Sequence, residues 1–117
     1  MMRGWLFTIW LVGNVACGTN GMDASCPADE PASCPSAVPS YTNDIAPLIE
    51  TYCSQCHNPQ GSAFDEPIST YADLSARKVD VLGEIYECQM PMPPAPQPSV
   101  SERVTLLSWF VCGAPNN

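Results

Sequence analysis

Cys53-Ser54-Gln55-Cys56-His57 is the stretch that decides how this chain is read. Two thiols stand three positions apart, and the residue that follows them is the only histidine among 117 residues. On a helical turn, positions three apart share a face. Both sulfurs can therefore reach the vinyl groups along one edge of a porphyrin as thioethers, while the next side chain turns its imidazole toward the iron. C-x-x-C-H is the signature of covalent c-type haem attachment. Two other chemistries use the same residue types. A redox dithiol of thioredoxin type expects a βαβ setting with its cysteine at a helix start. A zinc site needs four ligands at compact spacing, and the next candidates, Cys88 and Cys112, are distant in sequence.

Upstream, apolar residues recur at Ile45, Leu48, Ile49 and Tyr52, the spacing of one helical face. The pattern predicts a helix starting between Thr42 and Asp44 and running straight into the cysteine pair. Pro47 fits only in its first turn, where a missing amide has no partner to lose. Asn58, Pro59 and Gly61 stop it, and 62–67 reads as a loop. Thr70 or Ser69 then caps a helical segment carrying Tyr71, Leu74, Val79, Leu82, Ile85 and Tyr86, with a break expected near 75–78. The run from Cys88 to Pro98 is extended by force of its prolines. Ser99-Val100-Ser101-Glu102 is a capping box and opens a last helix with Val100, Val104, Leu107, Phe110 and Val111 as its apolar residues. Gly113 and Pro115 end that helix. These elements predict an all-α domain of three to five helices.

A haem in a small electron carrier takes a sixth ligand, and with one histidine the donor is a methionine thioether. Met1, Met2 and Met22 lie near the N-terminus, which leaves Met90 and Met92, each followed by proline. A methionine in a stiff segment loses little further entropy when it is held. Met90 is the preferred ligand and Met92 the alternative.

Residues 1–17 carry one positive charge and then a short apolar run, the pattern of an export signal. Its end, Val15-Ala16-Cys17-Gly18, resembles a bacterial lipoprotein signal, in which the cysteine is lipidated and becomes the mature N-terminus. Residues 18–40, rich in Pro, Ser and Ala and without apolar period, read as a flexible tether, and 41–117 as the folded domain. Export places the chain where disulfides persist. Cys26 and Cys34 are expected to close a small loop within the tether.

The chain resembles class I-like monohaem cytochrome c domains, in particular short exported lipoproteins with a Met-Pro-Pro loop. The resemblance covers residues 41 to about 115. It rests on Ile45-Ala46-Pro47-Leu48-Ile49, on Cys53 to His57, on Tyr71-Ala72-Asp73-Leu74, on Met90 to Pro94, and on Leu107 to Pro115. The chain departs from the usual single Met-Pro-Pro by reading Met-Pro-Met-Pro-Pro. The resemblance implies a mostly helical fold with N- and C-terminal helices packed together around one haem c, and electron transfer as the activity. The remaining cysteines, Cys88 and Cys112, are expected to staple the methionine loop to the last helix, worth about 3 kcal/mol for a loop of roughly 25 residues. Ile49, Tyr52, Leu82, Ile85, Leu106, Trp109 and Phe110 are the residues expected to cover the haem.

Composition narrows the function. The net charge is −8, with charged residues only 14% of the chain, so a basic nucleic-acid-binding face is not expected. No acid/base pair, nucleophile arrangement or phosphate loop is present to make the chain an enzyme on its own. The expectation is a monomeric, lipid-anchored electron carrier on the periplasmic side of a bacterial membrane, docking with redox partner proteins. A haem-based ligand binder or sensor, and a haem subunit of a larger redox enzyme, are the alternatives.

Overall fold

The computed structural model describes residues 30–117. The expected signal 1–17, Cys17 as lipidation site, Cys26 and the first part of the tether lie outside the described residues. Ser40 opens the first element by accepting a hydrogen bond from Asn43 N–H on its side chain (3.2 Å) and donating its own N–H to Asp44 Oδ2 (2.8 Å). The chain then makes one π-helical turn, Tyr41–Ile45, and continues as α1, Ala46–Tyr52. Pro47 sits in the first turn of α1, where it costs no hydrogen bond. Thr70 and Asp73 form a reciprocal capping box for α2, Tyr71–Ala76. The helix breaks at Arg77 and resumes as α3, Lys78–Tyr86. Ser99 and Glu102 form the second capping box, at the start of α4, Val100–Val111. The protein is helical, with four α-helices and no strand among the described residues.

The core gathers Ile45, Ile49, Leu74, Ile85, Leu106, Leu107 and Trp109, all at most 5% exposed. Trp109 lies at its centre, its ring 5.9 Å from Tyr41 and 5.0 Å from Phe110, while Tyr41 meets Tyr71 edge to face at 5.0 Å. The polar ends of these rings are satisfied: Trp109 Nε1 donates to Pro115 O and Tyr71 Oη to Ala114 O, both at 3.0 Å. The buried residues of α4 are Arg103, Leu106, Leu107, Ser108, Trp109 and Phe110. Val100 and Val104, expected among them, are instead 48% and 38% exposed. The buried face is rotated because Arg103, a cation that a hydrophobicity pattern assigns to the surface, faces inward.

The two ends of the folded part are tied to each other. Tyr41 N–H donates to Asn117 Oδ1 (2.8 Å), Thr42 N–H to Asn117 O (3.1 Å) and Ser40 Oγ to the same carbonyl (3.0 Å). Tyr52 Oη, at the end of α1, donates to the Glu102 carboxylate in the first turn of α4 (3.1 and 3.3 Å).

The disulfides differ from the expectation. Cys34 pairs with Cys112, with Cα atoms 4.7 Å apart, so neither Cys26–Cys34 nor Cys88–Cys112 forms. The segment before Ser40 is thus bonded to the domain at Cys34 and is not a tether along its whole length. Cys88 cannot reach Cys112 because the end of α3 lies beside Arg103, which donates to Ile85 O. Cys112 stands nine residues farther along α4, about 14 Å at the helical rise, and a disulfide requires Cα atoms within about 7 Å. Cys88 is disulfide-bonded as well, but not to Cys112.

Two outcomes follow for stability. The Cys34–Cys112 bond closes a sequence separation of 78 residues. Replacing both cysteines by alanine should lower the unfolding free energy in urea by about 2–4 kcal/mol, and peptide mapping without reductant should recover the two sulfurs in one linked pair. Hydrogen bonds from the Ser99 backbone and side chain and from Tyr52 hold the Glu102 carboxyl below its ordinary value. A lowered carboxyl stabilises the fold above its unfolded-state value of about 4.3 and loses that contribution as pH falls through its native value. Glu102→Gln should therefore destabilise the protein at pH 7 more than at pH 3 in urea titrations.

Candidate functional site

The C-x-x-C-H segment is a turn and not the last turn of a continuing α-helix. Helix α1 ends at Tyr52, Cys53 caps it, and its N–H and that of Ser54 both donate to Ile49 O (2.9 Å each). Cys56 N–H and His57 N–H then both donate to Cys53 O, at 3.1 and 3.0 Å. The bond from Cys56 to Cys53 is of the i to i+3 type, in which side chains three apart eclipse. The tighter turn thus keeps both cysteines on one side, as the spacing predicts. Cys53 and Cys56 are free thiols.

The following loop folds back on this turn. Asn58 donates its side-chain amide to Ser54 O (2.5 Å) and Gln55 O (3.1 Å), closing the turn from behind. Ala63 N–H donates to Cys56 O at 2.9 Å, and Ile68 N–H to His57 O at 3.2 Å. Gly61 passes so close to Cys56 that a Cβ on it would lie 2.0 Å from the Cys56 carbonyl oxygen, a distance no side chain tolerates. The same loop fixes the imidazole. His57 Nδ1 lies 2.7 Å from Glu66 O. A carbonyl only accepts, so the proton of the neutral ring belongs on Nδ1 and Nε2 keeps its lone pair. This arrangement, one ring nitrogen donating to a backbone carbonyl and the other available, is how proteins orient a metal-binding histidine.

Cys53, Cys56, His57 and Met90 line one cavity of about 800 Å³, within the range of small-molecule and cofactor sites. Ile68, Ile85 and Leu106 supply apolar wall. Of the residues expected to cover a haem, Tyr52, Ile85 and Leu106 do line it. Ile49, Trp109 and Phe110 belong to the core cluster, with Leu82 packed against it. Gly83, in the middle of α3, is also on the wall. A glycine there costs about 1 kcal/mol relative to alanine, yet a Cβ on Gly83 would meet nothing within 4 Å.

Both candidate methionines line the cavity, but they are held differently. Met92 is 64% exposed, and its carbonyl only accepts from Ala95 N–H within the loop (3.1 Å). Met90 is half-buried and its main chain is bonded at both ends: N–H to Glu84 O (3.2 Å) and carbonyl oxygen from Arg103 Nη1 (3.3 Å). Arg103 is a residue that sequence reasoning missed. The only signal available was its position one turn into α4, in register with Leu106, Leu107 and Phe110.

Burial, and the neighbouring Cys56, push the Cys53 thiol up to about 11. Reactive dithiols do the opposite, with thiolates stabilised by nearby positive charge or a helix N-terminus. Among the described residues no three His, Cys, Asp or Glu side chains cluster as a metal ion alone requires. Exposed Glu66, Asp80, Glu84 and Glu87 stand along the cavity, with Arg77 the cation among its lining residues. Among the described residues, no helix is long and apolar enough to cross a membrane. No protein-family model matches the chain, and no curated protein or solved structure matches it significantly.

The close approach of Gly61 gives a local test. Gly61→Ala must displace backbone, and should cost at least the roughly 1–3 kcal/mol of ordinary overpacking, read as a lower urea midpoint.

Proposed function

We propose that the domain is a small all-α, cytochrome c-like electron carrier holding one covalent haem c. The observation that carries this reading is the imidazole of His57, pinned through Nδ1 to Glu66 O at 2.7 Å while Cys53, Cys56 and Met90 line the same apolar cavity. The donor set fits the group. Two unpaired thiols stand on one turn, each able to add its S–H across a vinyl group with no oxidant required. Nε2 of His57 and the Met90 thioether would be the residues that hold its iron, with Met92 as the alternative to the second.

A bound haem supplies one-electron exchange at its iron, between Fe(II) and Fe(III). The chain's own contribution is positional. His57 is kept in one tautomer and one orientation by Glu66 O. Met90 is fixed by its main chain, so its thioether is presented with little further loss of entropy, and a thioether ligand raises the potential. Ile68, Ile85 and Leu106 give the site an apolar wall, and the open helix face at Gly83 leaves room beside α3. The line of exposed carboxylates favours a redox partner with a basic docking face, through transient and salt-sensitive contacts. Export, lipid attachment through Cys17 and a place on the periplasmic side of the membrane belong to the same proposal and rest on the N-terminal sequence.

Production in a host with the c-type haem maturation machinery, followed by intact mass and visible spectra, tests the reading. The expected result is a mass raised by one haem that survives denaturation, and a low-spin spectrum with the far-red methionine-to-iron charge-transfer band. Replacing Cys53 and Cys56 together by serine should abolish the covalent mass. Gly83→Leu should lower the haem-loaded fraction while leaving helix content at least equal, because leucine is the better helix former. A haem-free mass for the unaltered chain would overturn the proposal; covalent haem with a high-spin spectrum would move the function toward ligand binding.

A further inference from the structure

Arg103 is 1% exposed, and its guanidinium meets no carboxylate in the described residues. Nη1 donates to two main-chain carbonyls, Ile85 O at the end of α3 and Met90 O, both at 3.3 Å. Nη2 donates to Gln97 Oε1 at 2.8 Å. Gln97 in turn donates its amide to Pro91 O (2.6 Å) and Ala95 O (3.2 Å). One rigid fork therefore spans the last turn of α3, the start of the proline-rich loop and, through Gln97, the end of that loop. Its planar geometry matters: the two Nη groups serve different segments at fixed separation, which a lysine ammonium cannot reproduce. Burying a guanidinium without an opposing charge is costly, and only several good hydrogen bonds offset it. Pure packing is better served by an aliphatic residue, as the neighbouring Leu106 and Leu107 show.

Every one of these bonds bears on the loop at Met90, Pro91, Ala95 or Gln97, or on the α3 terminus that receives Met90 N–H. None reaches Met92. We infer that Arg103, acting with Gln97, is the positioning residue that presents Met90, rather than Met92, as the methionine of the site. The inference rests on the haem-carrier reading and gives it a specific ligand and a specific support. Arg103 touches neither the cavity nor a ligand in it; it acts through the main chain of residue 90. Its expected effect is on how tightly the thioether is retained, not on whether haem is attached at Cys53 and Cys56.

The test uses the haem-loaded protein in its ferric state. Met90→Leu should abolish the far-red charge-transfer band and Met92→Leu should retain it. Arg103→Lys keeps the charge and loses the fork, while Gln97→Ala removes an exposed partner without opening the core. Both should lower the pH at which the band is lost on alkaline titration, by about one unit for Arg103→Lys, a tenfold change in methionine retention, and by less for Gln97→Ala. Carbon monoxide should also bind faster to the reduced variants. Covalent haem content should stay unchanged in both, and the Gln97→Ala denaturation midpoint should stay close to that of the unaltered protein, which separates positioning from general stability. Loss of the band in Met92→Leu but not in Met90→Leu overturns the inference, as does an unshifted titration in both Arg103→Lys and Gln97→Ala. In either case the haem reading stands, since the unaltered protein then carries haem and the band. Absence of covalent haem from the unaltered protein removes both.

Discussion

The buried guanidinium of Arg103 is the interaction on which the arrangement around the cavity depends. A loop containing Pro91, Pro93, Pro94, Pro96 and Pro98 has few amide donors of its own, so it cannot build a hydrogen-bond ladder to hold itself against the helices. Its carbonyls remain as acceptors, and a donor must come from elsewhere. Arginine is the side chain with the most donors and no acceptor, which suits a segment rich in carbonyls and poor in amides. Burial pulls the guanidinium below its ordinary value, but the group starts so high that it stays charged. Its Nε has no partner among the described residues. The cost is accepted at one atom while the two Nη groups order three main-chain or side-chain acceptors.

The rest of the domain is held by closures between parts distant in sequence. A chain of this size builds a modest core, and here the core is one aromatic cluster about Trp109 with a layer of aliphatic residues. Asn117 binds Ser40, Tyr41 and Thr42, and Cys34 binds Cys112, so the first and last described elements are locked side by side. Tyr52 to Glu102 makes a third tie, between the residue before Cys53 and the first turn of α4. The start and end of the domain meet largely through the π-helical turn and single side chains, since α1 itself is short. The cavity is lined by the C-x-x-C-H segment, α3 and the proline-rich loop, with Tyr52 of α1 and Leu106 of α4 on its wall.

Most of what is local was legible in the residues. Pro47 in a first turn, the cap at Thr70, the capping box at Ser99, the break after Ala76 and the stop at Gly113 each rest on rules reaching three or four residues, and each is where the pattern puts it. The same holds for Cys53, Cys56 and His57 sharing a turn. What was not legible depends on tertiary placement. The disulfide pairing followed sequence proximity in the reading, whereas the structure selects Cys34 because the segment before Ser40 runs back along the end of α4. The apolar face of α4 was set by counting hydrophobic side chains, and a buried cation defeats that count. Two identical Met-Pro pairs could not settle Met90, the preferred residue, against Met92 by spacing, because the difference in how they are held lies in a donor from Arg103 and an acceptor carbonyl from Glu84.

These two halves of the site are supported over different ranges, and that difference has a consequence. The contacts that fix His57 come from Cys53, Glu66 and Ile68, all within eleven residues of it. They form as soon as one short loop closes, which costs little chain entropy. The contacts that fix Met90 require α3 and α4 to be docked, since the Arg103 fork joins them. Local opening of a protein proceeds through units that can lose their contacts together while the rest stays folded. Undocking of the start of α4 would release Met90, Gln97 and the proline loop as one such unit, leaving the C-x-x-C-H turn and its histidine intact. On the proposed reading, the domain is therefore built with one permanent side and one releasable side: the imidazole and thioether bonds hold the cofactor, while the methionine sets its potential for as long as one buried arginine keeps the loop in place.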